Sequence, residues 1–322
     1  MPVDLPNADD VLAAATRIAG HATLTPVLRS RRLDALAGAE LHFKAEHLQR
    51  SGAFKFRGAC NAVWSLSHDD AARGVVTHSS GNHGAALALA ARSRGIPCHV
   101  VVPEGAVAAK LANIQRHGAT LWRCAPTQAA REDTCAQVQA STGAQLVHPY
   151  ADAQVIAGQG TAALELVGQM NDHGGVPDIV LVPVGGGGLA AGTALALAAV
   201  APHCQLLLAE PEGADDTARS LVRGERCVDF VPDTVCDGLR GALGAPNFAL
   251  LRACGAQVIP VADSDTLAAM KLAWQVLKQT IEPSSATVLA AVRTQPARFA
   301  GKRVGVVLSG GNVDIEALPW HG

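Results

Sequence analysis

Residues 178–200 read DIVLVPVGGGGLAAGTALALAAV. The apolar, largely β-branched run up to Val184 has the composition of a buried strand, and it enters Gly185, Gly186, Gly187 and Gly188 directly. From about Leu189 the chain turns to alanine and leucine, a helical composition. Strand, glycine turn and helix make one β-α step. Ile179 to Pro202 carries no charge and is nominally long enough to cross a bilayer, yet two prolines and four consecutive glycines make a continuous apolar helix implausible.

Outward from this segment the rhythm repeats. GVVTHSS leads to GNHGAALALAARSRG, CHVVVPEG to AVAAKLANIQRHG and ATLWRCA to PTQAAREDTCAQVQASTG, while QLLLAE follows the glycine segment. ADDVLAAATRIAGH near the start is a further helix, with Asp9 and Asp10 as its expected caps. The pattern predicts an α/β protein of two doubly wound lobes, parallel sheets flanked by helices, with a ligand between them at the carboxyl ends of the strands. Residues 73–147 are expected to form a small inserted domain, and 1–72 with 148–322 a large one.

Composition narrows the partner. With 49% hydrophobic and 17% charged residues the chain is an ordinary globular one. Twenty-six Lys and Arg against 28 Asp and Glu give a formal charge of -2, which offers no basic field to nucleic acid or an anionic membrane. A small molecule is the expected partner. The eight cysteines are scattered without a CxxC pair or zinc-type spacing, as in reduced, cytoplasmic proteins. MPVDLPNADD has neither the basic nor the apolar region of a secretory leader.

Four stretches carry chemistry. The glycine run can turn backbone amides around a phosphate at a helix start, although a plain turn, or a dinucleotide site with Glu210 on a ribose, fits the same letters. SGAFKFRGAC, residues 51–60, sets Lys55 between Phe54 and Phe56 in a chain only 3% aromatic. It reads as an amine in an apolar sleeve or as a snorkelling surface lysine. SSGNHGAALALAA, residues 79–91, can hold a carboxylate on backbone amides, or Ser80 or Asn82 can simply cap the helix. VGVVLSGGNVD, residues 304–314, ends a strand at Ser309, by itself an ordinary turn.

Together, in this order, these motifs resemble the pyridoxal-phosphate enzymes of the serine/threonine dehydratase and serine racemase group, of the tryptophan-synthase-β-like fold type II. The resemblance implies the cofactor lies between the lobes, carried as a Schiff base by Lys55 of the S-x-x-F-K-x-R-G motif beside Phe54. It assigns the phosphate to Gly185, Gly186, Gly187, Gly188 and Leu189, the ring hydroxyl to Asn82 and the ring nitrogen to Ser309. Ser79, Asn82 and His83 would hold the substrate carboxylate. A serine hydroxyl does not force the ring nitrogen to be protonated, which favours prompt loss of a β-hydroxyl over a long-lived carbanion. The implied reaction is dehydration and deamination of L-serine, L-threonine or 3-hydroxyaspartate.

Other positions refine the choice. Ser80 falls where racemases of the group keep a second base opposite the lysine, so serine or aspartate racemisation is the alternative. AEPEGADD resembles a divalent-cation site of Glu210, the Ala214 carbonyl and Asp216, suited to Mg2+, or to Ca2+ or Mn2+. Arg131 matches an arginine aimed at a second substrate carboxylate; solvated acids and a solvated arginine are the plainer readings. Tyr150 replaces an expected Asn and Gly241 an expected Ser, which reshapes the side-chain pocket. The group's habit implies a homodimer, and the chain end leaves no room for a regulatory domain. An NAD-dependent oxidoreductase is the remote alternative.

Overall fold

The computed structural model describes residues 5–314; the readings of the leader and of the chain end fall wholly or partly on residues 1–4 and 315–322, outside it. The strands are β1 (Val27–Leu28), β2 (Glu40–Ala45), β3 (Val75–His78), β4 (Cys98–Pro103), β5 (Thr120–Cys124), β6 (Gln145–Leu146), β7 (Ile179–Pro183), β8 (Gln205–Pro211), β9 (Gln257–Val261) and β10 (Arg303–Leu308). They form a six-stranded sheet in the order β1-β2-β10-β7-β8-β9 and a four-stranded sheet in the order β5-β4-β3-β6. All neighbours are parallel except the short β1, which runs antiparallel to β2.

Period-2 alternation explains why the large sheet is apolar on both faces. Ile179 and Leu181 of β7 join Val304, Val306 and Leu308 of β10 in one core layer. Val180 and Val182 join Val307 in the other. Each such side chain, fully removed from water, stabilises the fold by roughly 1.5–3 kcal/mol. The small sheet builds its own core, in which Val75, Val100 and Val102 meet Ala86, Ala90 and Leu87 of the helix Asn82–Arg94. Phe56, Ala59, Cys60 and Val63 of the helix Lys55–Ser65 pack into the same layer.

One local expectation is corrected and another is met. The first helix, Ala8–Ile18, is capped by Asn7, whose side chain accepts from the amides of Asp9 and Asp10; Asp10 answers from the third helical position in a capping box. The uncharged segment 179–202 is strand β7, the glycine loop and the helix Gly188–Val200. Among the described residues no helix is long and apolar enough to cross a membrane.

Candidate active site

The strand-to-helix turns that carry the motifs all lie at carboxyl ends of strands. Lys55 opens its helix, and the turn before it is pinned to the end of β10: Phe54 N donates to Ser309 O at 2.9 Å, and Ala53 bridges Gly310. Lys55 Nζ donates to Pro149 O at 2.9 Å and stands 5.2 Å from the centre of the Phe54 ring. Burial brings its pKa down to about 8, with the Glu282 carboxylate pulling the other way. Phe56 does not share the sleeve. Successive residues of a helix point about 100° apart, so Phe56 turns into the small-sheet core, where the Arg50 guanidinium covers its ring at 4.7 Å.

The glycine loop is shaped by what lies against it. A Cβ on Gly185 would come within 2.7 Å of Leu239 Cα, one on Gly186 within 2.5 Å of the Tyr150 ring, and one on Gly188 within 3.1 Å of Tyr150 O. Gly187 adopts φ +89°, left-handed backbone that favours glycine. Gly186 O accepts from Gly244 N and from Asn247 Nδ2. The amides of Gly185 to Leu189, by contrast, have no protein acceptor among the described residues, and no side chain caps the helix they open. This is a set of free donors at a helix N-terminus, the arrangement a phosphate group takes. Gly241 lies beside it, its Cβ position an ordinary 3.6 Å from Tyr150 Cε1 and 4.0 Å from Gly186 N.

The second turn joins β3 to the helix Asn82–Arg94. Its N-cap is Gly81, with no side-chain cap, so neither Ser80 nor Asn82 plays that part. Ser79 Oγ accepts from Gly81 N. The Asn82 amide reaches across to the large sheet: Nδ2 donates to both oxygens of Glu282 at 3.0 and 3.1 Å, and Oδ1 accepts from Asn312 Nδ2 at 2.9 Å. His83 is buried, with Nε2 directed at Val147 O at 3.3 Å, so what it can offer a carboxylate is its backbone amide. Ser309 directly follows β10, buried, its hydroxyl without a protein partner among the described residues.

The segment from Val147 to Ala151 links the two sheets and lies against Lys55, His83 and the glycine loop. His148 Nδ1 accepts the Tyr150 and Ala151 amides, and its ring meets Tyr150 and His78 edge-on at 4.6 and 5.1 Å between centres. Burial, together with His78 and Lys55, takes the His148 pKa down to about 4, a neutral imidazole. Arg131, in the helix Gln128–Thr142, is half-buried; its guanidinium makes no ion pair or hydrogen bond among the described residues, and its Nε is wholly covered. Its charge acts on His78.

Glu210 and Asp216 are fully buried. Glu210 accepts from the amides of Thr217 at 3.0 Å and Ala218 at 2.9 Å, which commits it to a helix start and takes it away from any ribose. Asp216 Oδ2 accepts from Leu243 N at 2.8 Å, while Oδ1 is buried without a partner. Burial raises the two carboxyls to about 8 and about 6. Ala214 is buried beside them in the turn Glu212–Ala214. Two acids, one oxygen unpaired and a carbonyl-bearing turn fit a hard cation.

The sequence profile described as "Pyridoxal-phosphate dependent enzyme" matches residues 18–310. The chain belongs to that family. This removes the dinucleotide alternative, whose ribose acid is already bonded to backbone amides. Among its relatives, a β-hydroxyaspartate dehydratase of Paracoccus denitrificans is 47% identical over 317 residues, covering 98% of this chain and 99% of that protein. The structure of maize serine racemase superposes with a TM-score of 0.93 at 41% identity, covering 98% of this chain and 96% of that one. Serine racemase from Dictyostelium discoideum gives 0.89 at 44% identity, covering 96% and 99%. The residue that the motifs alone did not single out is Glu282; its only signal was a Glu-Pro pair, which opens the helix Pro283–Thr294.

Proposed function

We propose that this pyridoxal-phosphate-dependent enzyme dehydrates and deaminates a 3-hydroxy amino acid, with 3-hydroxyaspartate favoured over L-serine and L-threonine. The net reaction is 3-hydroxyaspartate to oxaloacetate and ammonia, one water leaving by elimination and one returning in hydrolysis. The observation that carries the substrate choice is the half-buried Arg131 guanidinium, without an ion-pair or hydrogen-bond partner among the described residues, a cation that could pair with a second carboxylate. The name of the P. denitrificans relative agrees with it.

The bound cofactor supplies an electron sink next to the α-carbon. Lys55, its pKa near 8, holds enough neutral amine around neutrality to carry the cofactor and to accept the α-proton. The free amides of Gly185, Gly186, Gly187, Gly188 and Leu189 hold the phosphate, Phe54 lies under the lysine, Asn82 faces the ring hydroxyl and Ser309 the ring nitrogen. Ser79 and the first-turn amides of Asn82 and His83 hold the α-carboxylate. Tyr150 and Gly241 shape the side-chain pocket, and Glu210, Ala214 and Asp216 take Mg2+ or a similar ion. Residues 73–147 act as a small domain, a division supported by the four-stranded sheet lying wholly inside them. A cytoplasmic homodimer completes the reading.

Ser80 supports a second reading. Its hydroxyl is left free of the capping role, so it can serve as an opposing base for serine or aspartate racemisation, the activity named in the maize relative. A chiral amino acid and keto acid assay of the holoenzyme decides between them, using L- and D-serine, L-threonine and the threo and erythro 3-hydroxyaspartates, with Mg2+ or EDTA. Oxaloacetate and ammonia from a hydroxyaspartate isomer, absent in Lys55→Ala, is the expected result. Faster keto acid formation from serine or threonine, or D-isomer without keto acid, overturns it.

A further inference from the structure

Asn82 can present either edge of its amide to a ligand, and the two edges have opposite chemistry: one donates, the other only accepts. What decides between them is Glu282. Its carboxylate is 4% exposed and lies within 3.0 and 3.1 Å of Asn82 Nδ2. The other side of Asn82 is closed by Asn312, which donates to Asn82 Oδ1 at 2.9 Å and to Ser51 O at 2.8 Å. The backbone Asn312 N in turn donates to Glu282 at 3.2 Å, so the three residues form one closed set.

The acid itself is fixed by the fold. Glu282 N donates to Gly310 O at 3.0 Å, and a Cβ on Gly310 would sit 2.7 Å from Glu282 Oε1, so the carboxylate lies directly against the turn that follows Ser309. Burial raises the Glu282 carboxyl to about 7, and in the ionised form that prevails above this pH it accepts and does not donate. It therefore compels Asn82 to turn its NH2 group toward Glu282, and one of the two hydrogens remains for a neighbour. A glutamine there could donate as well as accept, and the Asn82 amide would be free to turn over.

We propose that Glu282 is a positioning residue that holds the Asn82 amide with its spare N–H toward the cofactor's ring oxygen, making Asn82 a donor there. This rests on the reading above that Asn82 faces that oxygen. Glu282 touches no reacting atom; it acts through Asn82. Lys55, Lys110 and Asp237 are the other charged groups that act on it, from the Lys55 helix, the helix Ala108–Arg116 and the turn Asp237–Leu239.

The test is equilibrium titration of apoprotein with pyridoxal phosphate, followed by cofactor absorbance, in wild type, Glu282→Gln, Asn82→Ala, the double variant and Asn312→Asp. Glu282→Gln should weaken cofactor binding about tenfold and move the visible band of the bound cofactor. In the double variant the loss should match that of Asn82→Ala alone, because the acid has nothing left to orient. Asn312→Asp lies on the surface and folds independently of the buried acid. It sets a second acceptor on the wrong side of Asn82, and should weaken binding in the same direction. Wild-type affinity and band position in Glu282→Gln, or in Asn312→Asp should Glu282→Gln not fold, overturns the proposal, as do losses that multiply in the double variant. Wild-type binding by Asn82→Ala would instead remove the reading of Asn82 itself, and the role of Glu282 with it.

Discussion

Behind the Lys55 helix, Arg57 and Lys44 meet Glu46 and Glu165; beside β8, Glu210 meets Asp216. Both groups are buried, but they are built differently. Arg57 donates in pairs to Glu46 at 2.7 and 2.8 Å and to Glu165 at 2.7 and 2.6 Å, and Lys44 reaches Glu165, Thr25 O and Gln169 at 2.7 to 2.8 Å. Burial alone would raise the Glu46 carboxyl, yet Arg57 outweighs it and holds the group below its usual range. Among the described residues the acid pair has no cationic side chain bonded to either member, and both carboxyls are raised. A closed ledger of charge is a brace. An open one leaves a carboxylate oxygen without a donor, which is what the proposed cation site uses.

The difference can be broken at either end. Arg57→Leu leaves Glu46 buried with its main partner gone, and should cost about 3–5 kcal/mol of unfolding free energy in a urea melt. An unchanged midpoint would mean the network contributes nothing net. At the other end, Mg2+ at about a hundred times its Kd should raise the unfolding free energy by about 2.7 kcal/mol. Asp216→Asn should abolish that gain while leaving the metal-free protein as stable as wild type.

Lys55 is a third kind of buried charge, neither paired nor awaiting an ion. Its folded pKa, about 8, lies below the ordinary 10.5, so between these values the unfolded apoprotein binds more protons. Lys55 thus makes apoprotein stability rise with pH across that window, and Lys55→Met should flatten the rise in melts taken from pH 7 to 11. Labelling of the Lys55 amine should reach half-maximal rate near pH 8 rather than 10.5. The smallest effect is expected at Gly241→Ser, where ordinary contact distances predict a stability change within about 0.5 kcal/mol. There the measurement is the ratio of serine to hydroxyaspartate turnover, which the added hydroxyl should move toward serine.

The glycine loop, Lys55 and Asn82 stand out in the sequence because each lies where a helix begins, and Ser309 because it follows a strand; the roles given to them came from the resemblance of all four motifs together, not from the letters of any one. Phe56 was misread because adjacency in sequence is not adjacency on a helix; its partner, Arg50, lies six residues back. Glu282 could not be found from its neighbours, since its meaning comes from Asn82, 200 residues earlier. The cap lies two or three positions before the expected Asp9 and Asp10, because Asn7 holds both amides. Arg57 was visible as a motif letter, but only the fold reveals that it faces away from the cleft, toward Glu46 and Glu165.

Where the helix Lys55–Ser65 crosses the helix Ala153–Asp172, Gly58 and Gly158 bring the two backbones into contact: a Cβ on Gly58 would lie 2.7 Å from Val155 O, and one on Gly158 2.7 Å from Gly58 Cα. The chain leaves for the small sheet along the first helix and returns along the second, so both strands of the connection pass through this one point. Two rods meshed that tightly cannot slide past each other. The crossing therefore fixes the helix that begins at Lys55, three residues before Gly58, against the helix that carries the chain back to the large sheet.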